Sequence, residues 1–255
     1  QTSKTRKNSH FLSLWLMVIW LFWAIFVHTS QVQAQTWTKV AGSSFRTAPE
    51  GHSAVAFNQS IVIFGGYRSG QNLDELRIWN MEDMTWTSVF FNNTPSARSG
   101  HCAALDSNSS IWIFGGSLGS SDPYGIPSSV TNDLHYLDVQ TQDWVAVATT
   151  GAPSARTGHS AVVDADVLWI FGGRGGPESS SSRFNDLYSL DLQAEIWSEV
   201  AVLSKPPPRF AHSAVLSESH QMWVFGGSGD TGYLNDLYYF DMQANVPLQD
   251  GATIA

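Results

Sequence analysis

One cysteine, Cys102, stands in the 255 residues. That excludes an intrachain disulfide and any zinc site built on several thiolates. Charge is scarce too: Asp, Glu, Lys and Arg make up 14% of the chain, against roughly 25% in an ordinary globular protein, which excludes coiled coil and charge-rich disorder. Basic residues are the scarcer sign, with 13 Lys plus Arg against 22 Asp plus Glu. Three of them, Lys4, Arg6 and Lys7, lie within residues 1–34, which hold no acid, so removing that stretch moves the formal charge from −9 to −12. A chain of that sign repels phosphate backbones, and no nucleic-acid partner is expected. Past residue 34 no stretch sustains a helical period. What is abundant is aromatic: 11 Trp, 7 Tyr and 14 Phe.

The three early cations precede an apolar run over residues 11–27, opened by Phe11, closed by Val27 and interrupted only by Ser13. A polar stretch then leads to Val32-Gln33-Ala34, which has the small-x-small form of a cleavage site. The order basic, apolar, polar, small matches a secretory signal. The 17 residues of the run are long for a signal core and short for a spanning helix, which needs about 20. A cleaved signal and an uncleaved anchor, tethering the chain to a membrane, both fit. Either way the positive charges stay cytoplasmic, so everything after Gln35 is expected outside or in the lumen. The chain opens on Gln1 rather than Met, which reads as a fragment.

The remainder repeats itself. Gly-Gly pairs at Gly65-Gly66, Gly115-Gly116, Gly172-Gly173 and Gly226-Gly227 recur at intervals of 50, 57 and 54. His52, His101, His159 and His212 keep step at 49, 58 and 53, as do Trp37, Trp86, Trp144 and Trp197. Each unit holds a His-bearing run (a), an apolar run ending in Phe-Gly-Gly (b), an acidic-Leu segment (c) and a Trp-centred run (d). Four short apolar runs per period, separated by Gly, Pro, Ser and Asn, predict four strands. One such sheet cannot bury both faces alone, so the units must stack, and radial stacking gives a propeller.

The spacing near 50, the double glycine, the Asn-Asp-Leu-aromatic segment and the following Trp resemble the kelch repeat, over roughly residues 37–241. The resemblance implies an all-β, kelch-type β-propeller with four repeats, a partial or small ring, preceded by an N-terminal signal or anchor helix. The expected domains are a leader over 1–34 and a propeller region over 35–255, with repeats near 37–89, 90–147, 148–200 and 201–245. Trp37 heads a lone d strand, whereas the fourth unit has Pro247 where its own Trp is due, and proline removes a ladder donor. Two accounts fit: the Trp37 strand completes the fourth sheet and closes a four-bladed ring, or the chain is an arc of a larger propeller, with a trailing segment over 246–255.

The glycine pairs end strand b, where backbone without a Cβ takes positive φ or admits a close neighbour. Trp86, Trp144 and Trp197 read as packing between blades. The four histidines occupy one position per blade, and symmetry spreads them around the ring. A metal would need them about 2 Å from one centre, so no metal or cofactor is expected, and each imidazole reads as a hydrogen-bonding structural group. Cys102, where other units have Ser, reads as an inert buried thiol.

Strand parity sends the b–c and d–a loops to one end of the ring. The b–c loops span 67–73, 117–131, 174–184 and 228–234, lengths of 7, 15, 11 and 7. They carry Tyr67, Arg68, Tyr124, Arg174, Arg183, Asp230 and Tyr233, and the d–a loops add Arg98, Arg156 and Arg209. Loops on a rigid scaffold carry function, and Tyr and Arg are enriched at hot spots, so these are the candidate binding residues. The three d–a arginines also belong to the repeat pattern and could simply bond neighbouring backbone. Asn58, Asn92 and Asn108 fit the glycan-acceptor rule; Asn58 and Asn108 share the opposite, a–b face.

Families resembling this repeat mostly act as interaction platforms, which implies a non-catalytic, secreted or membrane-tethered module for a protein, peptide or glycan. The alternative is a secreted carbohydrate enzyme on the same scaffold, a copper oxidase or a mutarotase. No departure from the repeat introduces a catalytic set.

Overall fold

The computed structural model describes residues 38–39, 49–89, 91–119, 127–176 and 182–243. Two compact units are distinguished, Gln1–Gly42 and Ser43–Ala255. Of the first, only Thr38 and Lys39 are described, both exposed and outside any strand. The expected leader, the Trp37 strand, Tyr124 and the segment around Pro247 lie outside the described residues. Among the described residues no helix is long and apolar enough to cross a membrane.

The second unit is an all-β, four-bladed propeller. Blade 1 holds β1 (Ser53–Phe57), β2 (Ser60–Phe64), β5 (Leu76–Asn80) and β6 (Thr85–Val89), with a two-residue hairpin, β3 (Tyr67–Arg68) and β4 (Gln71–Asn72), between β2 and β5. Blade 2 holds β7 (Cys102–Leu105), β8 (Ser110–Ser117), β9 (Val130–Asp138) and β10 (Asp143–Val147). Blade 3 holds β11 (Ser160–Asp164), β12 (Val167–Phe171), β13 (Leu187–Asp191) and β14 (Ile196–Glu199). Blade 4 shows three strands, β15 (Ser213–Leu216), β16 (Gln221–Phe225) and β19 (Leu237–Asp241), with a hairpin of β17 (Ser228–Gly229) and β18 (Gly232–Tyr233). Every ladder is antiparallel.

Local chemistry sets the corners. Asn58, at φ +49, turns β1 into β2, and Ala165-Asp166, at φ +44 and +62, turn β11 into β12, the double-positive geometry that matches strand twist. Each strand c ends on an Asn or Asp whose carbonyl or carboxylate oxygen accepts the next turn's N–H groups. Asp138 Oδ1 takes Gln140 at 2.8 Å and Thr141 at 3.1 Å, and Asn80 and Asp191 act alike.

Stacking buries alternate residues of each sheet. Phe64 of blade 1 meets Trp144 of blade 2 at 5.0 Å between ring centres, and Phe114 of blade 2 meets Trp197 of blade 3 at 5.1 Å. Trp144 and Trp197 therefore pack between blades, whereas Trp86 pairs with Trp79 inside blade 1. The innermost strands run side by side in the order β1, β7, β11, β15.

Backbone closes each joint. The second glycine of one blade donates to the carbonyl of the arginine that opens the next: Gly66 to Arg98, Gly116 to Arg156 and Gly173 to Arg209, at 2.8–2.9 Å. Those arginines donate back, to the carbonyls of Leu73, Thr131 and Phe184. Gly115 shows why the position demands glycine: it sits at φ +63, and a Cβ there would come within 2.9 Å of Arg156 O and 3.0 Å of His159 Cε1.

The b–c segments are more ordered than their loop-like composition suggests. In blade 2 the strands continue through Ser117 and resume at Val130, past a bulge between Phe114 and Gly116. In blades 1 and 4 the same segments form hairpins. Pairing with d–a backbone draws them in, as at Ser99 with Ser117 and Phe210 with Ser228.

Gly115→Ala is expected to lower stability by about 3 kcal/mol. Gly70→Ala, at φ +89 with nothing within 4 Å, is expected to cost about 1 kcal/mol. Equal losses in chemical denaturation would contradict the close-approach argument.

Candidate functional site

Arg98, Arg156 and Arg209 are fully buried, which removes them from the expected ligand-contact set. Each guanidinium is gripped by its own blade. Arg156 donates to Asp186 Oδ1 and Oδ2 at 2.6 and 2.9 Å, to Gly172 O at 2.9 Å and to Ser154 O at 3.0 Å, and lies 4.4 Å from the Phe184 ring centre. Arg98 clasps Asp133 and Gly115 O, and Arg209 clasps Asp236 and Gly226 O, in the same geometry. Planar two-pronged donation suits arginine and fixes the d–a turn against strand c. Partial burial works to raise the Asp133 pKa, but hydrogen bonds and charge from Arg98 and His135 outweigh it and hold the carboxyl well below its usual range. For Asp236 the Arg209 hydrogen bond is the leading cause of a downward shift.

Blade 1 does this differently. Pro49 stands where the arginine belongs and Glu75 where the aspartate belongs. Glu75 instead accepts from Arg68 at 2.8 Å and Arg77 at 3.1 Å. Arg68 is thus tied to its own blade while staying partly exposed.

Three of the four recurring histidines, His101, His159 and His212, are buried where blades meet. His101 Nε2 lies 2.8 Å from Ser53 Oγ of the preceding blade, and His212 Nε2 lies 2.8 Å from Ser160 Oγ. Each sets its ring edge on the preceding blade's phenylalanine: His101 on Phe64, His159 on Phe114 and His212 on Phe171, at 5.4–5.5 Å. Burial, then the neighbouring arginine charge, pushes His101 down to about 3 and His212 to about 4, so both are neutral at physiological pH. His52, with no described blade before it, is exposed. Cys102 replaces the serine that would face His159, and its thiol donates to Phe114 O at 3.8 Å instead. Burial pushes it up to about 12, so it is inert at neutral pH.

One loop cluster stands apart from this repeated framework. Between blades 3 and 4, Arg174 and Arg183 pair across a short bridge. Both guanidiniums lie over the Phe210 ring, at 4.4 and 5.5 Å from its centre. Arg183 donates to Asp230 at 2.9 Å on the β17–β18 hairpin, the hairpin that carries Tyr233, which is 95% exposed. The structure thus brings Arg174, Arg183, Asp230 and Tyr233 to one neighbourhood. Tyr67 and Arg68 sit apart on the blade 1 hairpin. Phe210 escaped sequence reasoning. Its signal was a departure from the repeat: Phe210 follows its arginine where Ser99 and Thr157 follow theirs.

Asn58, Asn92 and Asn108 are all exposed. Among the described residues no group of three or more His, Cys, Asp or Glu is arranged to hold a metal ion.

Arg156→Ala removes the clasp and leaves Asp186, 21% exposed, without its partner. The expected loss is about 3 kcal/mol, the low end for a broken buried pair because Asp186 retains some water. Denaturation midpoints check it, and a change under about 0.5 kcal/mol would show that the clasp is decorative.

A profile of the KLHDC2/KLHL20/DRC7 Kelch-repeats domain matches residues 25–202 and 109–249. The chain is 30% identical over 240 residues to the Leucine-zipper-like transcriptional regulator 1 homolog of Drosophila melanogaster, covering 89% of this chain and 24% of that protein. It is 30% identical over 222 residues to Acyl-CoA-binding domain-containing protein 4 of Arabidopsis thaliana, covering 81% and 31%. It is 33% identical over 196 residues to human Kelch domain-containing protein 3, covering 70% and 48%. The chain thus spans less than half the length of these relatives. Four double-glycine blades joined through Arg-x-Gly/Ala-His turns, together with the profile match, place this chain in the kelch-repeat family, as a propeller of the protein-interaction kind.

Proposed function

We propose that the chain is a non-catalytic interaction module that holds a protein or peptide partner on the face formed by its b–c and d–a loops, centred on the Arg174, Arg183, Phe210, Asp230 and Tyr233 cluster. The observation that carries this reading is the contrast in environment among its arginines. Arg98, Arg156 and Arg209 are buried in clasps, whereas Arg174 and Arg183 lie partly exposed over one aromatic ring. Among the described residues the patch gathers two guanidiniums and one carboxylate on a chain of net charge −9, a grouping that suits an acidic side chain or backbone carbonyls of a partner. The exposed Tyr233 ring adds the apolar contact typical of a hot spot.

The leader's basic-apolar-polar order supports an extracellular or lumenal placement. In that compartment Asn58 and Asn108 would carry glycans on the a–b face, leaving the loop face free.

The test is affinity capture with the triple variant Arg174→Glu, Arg183→Glu, Tyr233→Ala beside the wild-type chain. The exposed Arg183–Asp230 pair contributes little to stability, so the fold is expected to survive, checked by an unchanged Tm. Recovery of specific partners is expected to fall by about tenfold or more. Undiminished recovery by the folded variant would place the binding face elsewhere.

A further inference from the structure

We propose that the link between blades 1 and 2 carries a site for a primary ammonium group, the side chain of a partner's lysine, held by the Asp74 carboxylate and the Pro95 carbonyl. The site lies on the loop face but at another link than the Arg174 and Arg183 cluster, and it does not rest on the function assigned to that cluster.

The other links show what this place requires. Blades 2 and 3 enter strand c through Asn-Asp-Leu, and the asparagine amide reaches the proline that stands three residues before the next clasp arginine. Asn132 Nδ2 donates to Pro153 O and Asn185 Nδ2 to Pro206 O, both at 3.1 Å. Blade 1 has Asp74 in the asparagine's position, and Pro95 stands three before Arg98. An ionised carboxylate only accepts, so two acceptors occupy the places that a donor and an acceptor hold elsewhere. Among the described residues no hydrogen bond reaches the Asp74 carboxylate or Pro95 O. Neighbouring Glu75 differs, because Arg68 at 2.8 Å and Arg77 at 3.1 Å satisfy it. Described chain forms both sides of this link, strand c of blade 1 and the d–a loop into blade 2, so the mismatch is internal to the propeller.

A cavity of about 300 Å³ opens here, and Asp74, Leu76, Val89 and Thr94 are among the residues that line it. Leu76 and Val89 suit the apolar stem of a lysine, and Asp74 suits its head. Thr94 Oγ1 donates to Phe91 O at 2.9 Å, which leaves its lone pairs as a further acceptor. An ammonium carries three N–H donors and accepts nothing, so the Asp74 carboxylate, Pro95 O and Thr94 Oγ1 supply one acceptor for each. A divalent metal matches the set poorly. Calcium takes six to eight oxygens and magnesium a near-octahedral shell, whereas one free carboxylate stands here, and among the described residues no group of three or more His, Cys, Asp or Glu is arranged for a metal.

The test is an NMR titration of the purified chain with Nα-acetyl-lysinamide, beside its Nε-trimethyl form, which keeps the charge but has no N–H on its head. Lysinamide is expected to shift the Asp74 and Thr94 amides saturably in the millimolar range, and the trimethyl form to bind about tenfold or more weakly. Asp74→Asn restores the amide of the other links. It should weaken lysinamide by about tenfold or more and raise Tm by about 2–4 °C, because its Nδ2 takes Pro95 O. Asp74→Ala should lose binding without that gain in Tm. No saturation, equal binding of the trimethyl form, or binding that survives Asp74→Asn would overturn the proposal. So would tighter saturation of the same amides by calcium, or an Asp74→Asn chain whose Tm is not raised.

Discussion

The architecture depends on one joint made three times. A glycine pair at the end of strand b takes positive φ, points its N–H at the next blade and leaves no Cβ in the way. The opening turn of the next blade answers with an arginine carbonyl and a histidine edge. Energy and register come from different parts of this joint. Burying an indole such as Trp144 removes about 200 Å² from water and stabilises by about 5 kcal/mol. A joint hydrogen bond contributes about 1 kcal/mol net. The aromatic contacts therefore hold the blades together, and the backbone bonds decide how they meet. The buried arginine clasp keeps the answering turn in shape by fixing it to its own strand c rather than to the neighbour.

That constraint also determines where function can lie. The joints take up His101, His159 and His212 together with Trp144 and Trp197, and the clasps take up Arg98, Arg156 and Arg209, so these residues are unavailable to a ligand. Only departures from the repeat are left for recognition. Blade 3 to blade 4 has the clearest set: a phenylalanine where Ser99 and Thr157 stand elsewhere, two arginines on an inserted b–c segment, and a hairpin presenting Asp230 and Tyr233. Blade 1 departs in another way, with Pro49 and Glu75 replacing the clasp and Arg68 drawn in to compensate.

The sequence revealed the period and its consequences because the signals there are discrete. Gly65-Gly66 and its three counterparts, His52 and its series, and the Trp86 series mark four repeat units, their strand order and one equivalent histidine in each. Spacing was silent about the arginines. A residue three places before a histidine can project into solvent or turn inward, and only the position of Asp133, Asp186 and Asp236 across the sheet decides that Arg98, Arg156 and Arg209 turn inward. Composition misjudged the b–c segments for a related reason. Ser- and Gly-rich stretches read as loops, yet pairing with d–a backbone extends β8 to Ser117 and folds Tyr67 and Tyr233 into hairpins. Phe210 was hidden by its ordinary place in a repeat-like run, because a single aromatic substitution carries no meaning until the two guanidiniums above it are seen.

Amide hydrogen exchange at the second glycines tests the joint most directly. Gly66, Gly116 and Gly173 should open only with the blades they join, and Gly227 should exchange at least about a hundredfold faster. Exchange at Gly116 and Gly173 as fast as at Gly227 would contradict the account, because the backbone bonds between blades would then not be among the interactions that hold the propeller together.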